Sequence, residues 1–303
     1  MKKTVYMVAI LLAGILWGSM SLFTNAMADM GFSPVQTSAA RLGVAAIILF
    51  VGLAIFSPKS LRLTWRDLPL LLAIGVISVF SMSSLYMLSI RMTTGAVAAV
   101  LLYTSPIFIL IASVILFKEK LTLPKLISLV LVVAGCVLVS GIIGSGVKMN
   151  ALGVGVGLLS GIAYASYSIL GTYALRRHSS MTVTAYAFLF ASIITLAVAD
   201  LPDMCTTFAA APKALPAVLL MLGLGVVTAV LPFTLYTYGL SGIEAGRAGI
   251  LACVEPMTAT LVSVFLLHEP CSLLQWAGIL LILTAVVLLQ WQPKKKENED
   301  DRA

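Results

Sequence analysis

Apolar residues in this chain run unbroken for about twenty positions at a time, and they do so ten times. A helix rises 1.5 Å per residue, so about 20 apolar residues cross a hydrocarbon core of ~30 Å. The approximate cores lie at 5–26, 35–56, 68–90, 93–116, 123–143, 151–175, 182–200, 214–238, 243–267 and 272–291. Lipid offers the backbone no hydrogen-bond partners, which leaves helices and closed barrels as the only spanning structures. The short alternating strands of a barrel are missing from these runs. The pattern predicts an all-α integral membrane protein with ten transmembrane helices.

Lys2 and Lys3 ahead of the first run, with Ala26-Met27-Ala28 near its end, imitate a signal peptide. The apolar stretch is too long for a signal core and nine more follow, so it reads as an uncleaved first helix.

Composition agrees. Of 303 residues 60% are hydrophobic and 10% charged, with mean hydropathy +1.08, whereas a soluble domain carries about 25% charged residues. The net charge of +7 would suggest nucleic acid only if its distribution were ignored. With the N-terminus inside, the inner segments hold 15 of the 19 basic residues, among them Lys59, Arg62, Arg66, Lys118, Lys120, Lys125, Arg176, Arg177, Arg247 and Lys294 to Lys296. The outer loops hold only Arg91, Lys148 and Lys213. Cytoplasmic loops are enriched in Lys and Arg, so both termini are expected in the cytoplasm of a cell (inner) membrane, and the number of spans is even. The tail from residue 292 reads as a stop at the headgroups followed by a solvated acidic end.

A repeat organises the chain. Shifted by 150 positions, residues 85–138 fall on 235–288 without gaps, matching Tyr86 to Tyr236, Pro106 to Pro256, Ser113 to Ser263 and Glu119 to Glu269. A shift of 147 places Gly14-Ile15-Leu16-Trp17 on Gly161-Ile162-Ala163-Tyr164. Five spans per half is odd, so the halves enter the membrane in opposite senses. The expected units are 1–146, 147–291 and a tail, 292–303. Inverted repeats suit a carrier whose two halves rock about a central site, although duplication without alternating access would leave the same trace.

The chain resembles the drug/metabolite transporter superfamily, specifically its EamA-type ten-helix transporters, over residues 5–291. The resemblance rests on Gly14–Gly18 and Gly161–Ala165 in the first helix of each half, on the central Pro106 and Pro256, and on Glu119-Lys120-Leu121 and Glu269-Pro270-Cys271-Ser272-Leu273-Leu274-Gln275. The first half departs from the pattern, with Pro124-Lys125 where Gln is common. The resemblance implies a cavity between helices 1–4 and 6–9, with helices 5 and 10 at the periphery. It also implies export of small molecules such as amino acids, other metabolites or toxic compounds, with protons as the candidate coupling ion.

Two ionisable residues sit well inside the spans, Arg41 and Glu255. Charges at such depth usually face a cavity or a partner. Glu255 lies near mid-span and is a candidate proton or substrate group, or else a structural acid. Arg41 either snorkels outward or lines the cavity, there binding a carboxylate or pairing with Glu255. Pro106 and Pro256 each remove a backbone donor and are candidate hinges, or static kinks. Trp17, Tyr86, Tyr103, Tyr164, Tyr167 and Tyr236 are aromatics within spans and candidates to line a substrate pocket. Trp17 and Tyr164 lead because their repeat positions correspond.

Gly14/Gly18, Gly153/Gly157/Gly161, Gly95/Ala99 and Gly242/Gly246 form small-residue faces for close helix packing, which serve internal packing and a homodimer equally well. Glu119 and Glu269 are expected at the positive N-terminal ends of the fifth helices. The cysteines and the two histidines show no metal-ligand spacing. Cys205 and Cys271 share a side, which leaves a disulfide open. No cofactor, metal or nucleic acid is implied; the partners are a small-molecule substrate and lipid. The competing readings are a passive channel, a membrane sensor of small molecules and an intramembrane enzyme, the last lacking any cluster of His, Asp and Glu.

Overall fold

The computed structural model describes residues 2–143, 150–210 and 214–290. Lys148, Lys213, the boundary at 146/147 and the tail 292–303 lie outside them. Among the described residues every regular element is helical. Span 1 is α1 (Lys2–Gly18) with α2 (Met20–Asp29), and span 2 is α3 (Pro34–Phe56). Span 3 runs from α4 (Leu68–Ala73) through a π-helical stretch, Ile74–Ser81, into α5 (Met82–Met92). Span 4 is α6 (Gly95–Leu102) with α7 (Ser105–Phe117), and span 5 is α8 (Leu123–Val139). In the second half, span 6 is α9 (Ala151–Ala174) and span 7 is α10 (Ser180–Val198). After a short helix, α11 (Leu201–Ala210), span 8 runs from α12 (Ala214–Gly225) through a π-helical stretch, Val226–Val230, into α13 (Leu231–Leu240). Span 9 is α14 (Ala245–Ala252) with α15 (Val254–Leu266), and span 10 is α16 (Leu273–Gln290). Nine of these rods are at least 18 residues long and apolar enough to cross a membrane; α8 has 17 residues.

Local chemistry sets the boundaries. Ser33 and Gln36 form a reciprocal capping box with Pro34 in the first turn of α3, while Thr94, Asn150 and Ser179 cap α6, α9 and α10. Spans 4 and 9 break at matching places, just before Pro106 and Pro256, because proline removes a donor and frees the carbonyl four residues earlier. The π-helical stretches of spans 3 and 8 also overlap at the 150-residue offset, the first containing Gly75 and the second following its repeat partner Gly225.

Glycines mark where the halves cross. A Cβ built on Gly14 would lie 3.1 Å from the Ala252 carbonyl oxygen, and one on Gly161 would lie 2.8 Å from that of Leu101. Spans 1 and 6 therefore pass against the breaks in spans 9 and 4. The 147-residue similarity is the sequence trace of these two crossings. Spans 5 and 10 pack mainly on each other: Gly135 and Gly278 meet backbone to backbone and Ser128 Oγ donates to the Ala285 carbonyl.

We call the membrane face where α1 begins the proximal face and the other the distal face. On the proximal face Asp67 lies 3.5 Å from Arg177 and 3.3 Å from His178, tying the loop after span 2 to the loop after span 6. The Thr64 hydroxyl, and then His178, hold its carboxyl down to about 2. On the distal face α11, absent from the sequence reading, is tied to span 2 where Gln36 Nε2 donates to Asp203 Oδ2 at 2.8 Å.

The pairing left open between Cys205 and Cys271 is not made, both being free thiols. Two expectations need correction. The face around Gly95 is not packed, since a Cβ there would meet nothing within 4 Å. The fifth helices begin at Leu123 and Leu273, four residues beyond Glu119 and Glu269. Neither acid therefore sits on the end of its own helix.

Candidate functional site

At mid-depth, where the two crossings meet, a cavity of about 10 Å³ has room for a single water. Its wall includes Trp17, Tyr103, Tyr164, Tyr167, Tyr236 and Glu255, six of the eight site candidates read from the sequence. Ser105, the repeat partner of Glu255, also lines it, so the pseudo-symmetry axis of the two halves runs through this point.

Aromatic geometry builds most of the wall. The Trp17 ring, 6% exposed, stands edge-on to Phe233 with centroids 4.9 Å apart, and lies 5.4 Å from Tyr236 and 6.5 Å from Tyr164. Trp17 and Tyr164 occupy corresponding positions in the two halves and touch across the axis. The quadrupoles of such rings favour edge contacts and present ring faces to a ligand. Hydroxyl partners then separate packing tyrosines from available ones. Tyr167 is bonded to Thr237 at 2.8 Å and Tyr236 to Ser168 at 2.7 Å, within the second half. The Tyr164 hydroxyl instead donates to Glu255 Oε2 at 3.1 Å, which holds the carboxylate against the cavity.

Glu255 sits in the first turn of α15, directly after the break that Pro256 imposes. The positive end of the half-helix favours its charge, and broken backbone at this depth is tolerated where it lines a cavity. Pro106 occupies the equivalent turn of α7.

Arg41 and Tyr86 are not in this wall, although both lie within electrostatic reach of Glu255. Arg41 is 5% exposed, which removes the snorkelling alternative. Its Nη1 donates to Met20 Sδ at 3.1 Å and its Nε is buried without a partner among the described residues. No ion pair within 4 Å joins Arg41 to Glu255 among the described residues.

Sequence reasoning missed Ser105, Ile109, Ser168, Phe233, Gly249, Ala252 and Cys253 in the wall. Small or apolar residues carry no signal in an apolar span. Ser105 alone was within reach, through the repeat offset from Glu255.

A model of the EamA-like transporter family matches residues 4–141 and 151–291. An uncharacterized transporter of Archaeoglobus fulgidus is 31% identical over 94% of this chain and 95% of its own length. The uncharacterized inner membrane transporter YicL of Salmonella typhimurium is 26% identical, covering 96% of each chain. The uncharacterized transporter YwfM of Bacillus subtilis is 24% identical, covering 99% of this chain and 98% of its own. A solved crystal structure shares the fold with a TM-score of 0.78 at 17% identity, over 95% of this chain and 96% of that one.

Proposed function

Because the chain belongs to the EamA-like transporter family, we propose that this multi-pass membrane transporter is a secondary active exporter of small metabolites such as amino acids, or of toxic compounds, working by alternating access. The observation that carries the reading is the meeting of Trp17, Tyr164 and Glu255 on the axis between two inverted halves. A midplane site at a repeat interface is the one place that both sides of a membrane can reach in turn. With the halves parted around this water-sized cavity, the aromatic faces take a ring or alkyl group, and Glu255 takes a proton or a cationic group. Basic residues crowd the proximal face, which supports assigning it to the cytoplasm of the inner membrane.

The ligand is identified by thermal-shift screening of purified protein against amino acids, sugars, polyamines and cationic drugs. Uptake of the stabilising compound into proteoliposomes then tests the reading. A carrier gives saturable flux that responds to a pH gradient, a channel gives non-saturable flux, and a sensor binds without flux. Orientation is tested separately by reporter fusions. Those placed after residues 60, 120, 178 and the C-terminus should read cytoplasmic, and one after 148 external; a cytoplasmic signal at 148 with an external C-terminus refutes the orientation.

Trp17→Ala or Tyr164→Ala should weaken binding in the same thermal-shift assay by ~1 kcal/mol or more, the scale of aromatic contacts, with insertion intact. Tyr164→Phe separates the ring from its hydroxyl bond to Glu255. Unchanged binding in both alanine variants would assign the rings to packing.

A further inference from the structure

The turns that end spans 4 and 9 are built alike. Lys118 and His268, repeat partners, both hold left-handed backbone, with φ of 54° and 58°. In each turn the next amide folds back on the same serine pair, Glu119 N donating to the Ser113 carbonyl at 3.3 Å and Glu269 N to that of Ser263 at 3.0 Å. Two matched turns therefore present two matched carboxylates, one on each face of the membrane.

Their surroundings are opposite. On the proximal face the Glu119 side chain is 7% exposed. It accepts from the amides of Ala245 and Gly246 at 2.8 and 3.4 Å, closing the N-terminus of α14, whose own N-cap residue, Glu244, makes no capping bond. Buried Lys125 binds both Glu119, at 3.2 Å, and Glu244, at 2.8 Å. The halves α7 and α14 pack closely there, and a methyl on Gly246 would meet Leu110, Ser113 and Glu119 within 3.0 Å.

On the distal face Glu269 is exposed and makes no side-chain hydrogen bond or ion pair among the described residues. The repeat partners of Ala245 and Gly246 are Gly95 and Ala96, at the N-terminus of α6, and among the described residues no carboxylate sits on them. Thr94 caps only the Val97 amide, and α6 and α15 hardly touch. The protein is thus shut on the proximal side and parted on the distal side along one pair of broken helices.

We infer that Glu119 and Glu269 are alternating gate residues: Glu119 on the amides of α14 holds the proximal gate shut, and in the opposite state Glu269 seats on the amides of Gly95 and Ala96 to shut the distal gate. The inference rests on alternating access as proposed above. The two gates are unequal in strength. Lys125, which neutralises the buried Glu119, is replaced at the repeat position by Gln275, which carries no charge. The proximal gate is the stronger, in keeping with the state observed.

The test uses purified full-length protein in nanodiscs, with the four native cysteines replaced by alanine and one reporter thiol at each gate. Ser113→Cys reports the proximal gate, where Ser113 is fully buried, and Ser263→Cys the distal one, where its partner is half-buried. With N-ethylmaleimide, the Ser263→Cys protein should label fast and the Ser113→Cys protein slowly. Glu119→Gln should shift the ratio about tenfold toward the proximal reporter, as for loss of a charge-assisted hydrogen bond, and Glu269→Gln should shift it the other way. Gly246→Ala, which wedges the proximal gate without altering charge, should act like Glu119→Gln and covers the case in which that variant fails to fold. Shifts of the same sign in both glutamate variants overturn the inference. A ratio that moves with Gly246→Ala but not with Glu119→Gln also overturns it, leaving alternating access standing. No shift in any variant overturns both.

Discussion

Glu255→Gln is expected to abolish proton-driven net transport while largely preserving substrate-for-substrate exchange. Glutamine keeps the length of the side chain and an acceptor for the Tyr164 hydroxyl, which lies 3.1 Å from Glu255 Oε2, so insertion and packing should be unaffected. What it removes is the proton site. Net transport requires the empty carrier to return with its proton state changed; exchange requires no such return. Loss of both activities in a folded protein would make Glu255 a substrate ligand instead. Normal pH-dependent net transport would show that Glu255 does not couple, and Arg41, buried with its Nη1 on the Met20 sulfur, becomes the next residue to examine.

Gly18→Leu is expected to be the most damaging substitution outside the cavity. A Cβ on Gly18 would lie 2.5 Å from Thr258 Cβ, 2.8 Å from the Ala259 nitrogen and 2.9 Å from the Glu255 carbonyl oxygen. Two of these neighbours are backbone and cannot swing away. Overpacking of this kind costs about 1–3 kcal/mol or more, and here it also pushes span 1 off the turn that carries Glu255. The melting temperature of the purified protein and transport should fall together. Gly155→Leu is the control, because a Cβ there meets nothing within 4 Å. Equal melting temperatures for the two variants would show that spans 1 and 9 are not tightly apposed at Gly18.

Much of the fold was legible because lipid makes hydropathy a direct readout of structure. The run at 35–56 became Pro34–Phe56 and that at 151–175 became Ala151–Ala174. What stayed hidden depends on partners distant in the chain. The π-helical stretches answer to crossings at Gly75 and Gly225, against spans 7 and 2, and hydropathy does not register them. The ten-residue α11 is too short to register as a span in the hydropathy pattern. In the site, residues whose chemistry is costly in lipid announced themselves: Glu255, Trp17 and four of the tyrosines converge. Tyr86 and Arg41 were equally conspicuous but fall outside the wall, because depth along a helix does not reveal which way a side chain faces. Sequence position suggests that Glu119 serves the end of its own fifth helix; that its carboxylate closes the helix of the other half follows only from the tertiary packing.

Counterflow in proteoliposomes tests the central claim, an alternating-access carrier, most directly. Vesicles loaded with a high concentration of the unlabelled ligand are diluted into trace labelled ligand with no proton gradient. The account predicts transient accumulation of label above its equilibrium level, since a carrier that presents one site to each side in turn exchanges inner for outer ligand. Label that rises only to equilibrium, at a rate indifferent to the internal load, would contradict it.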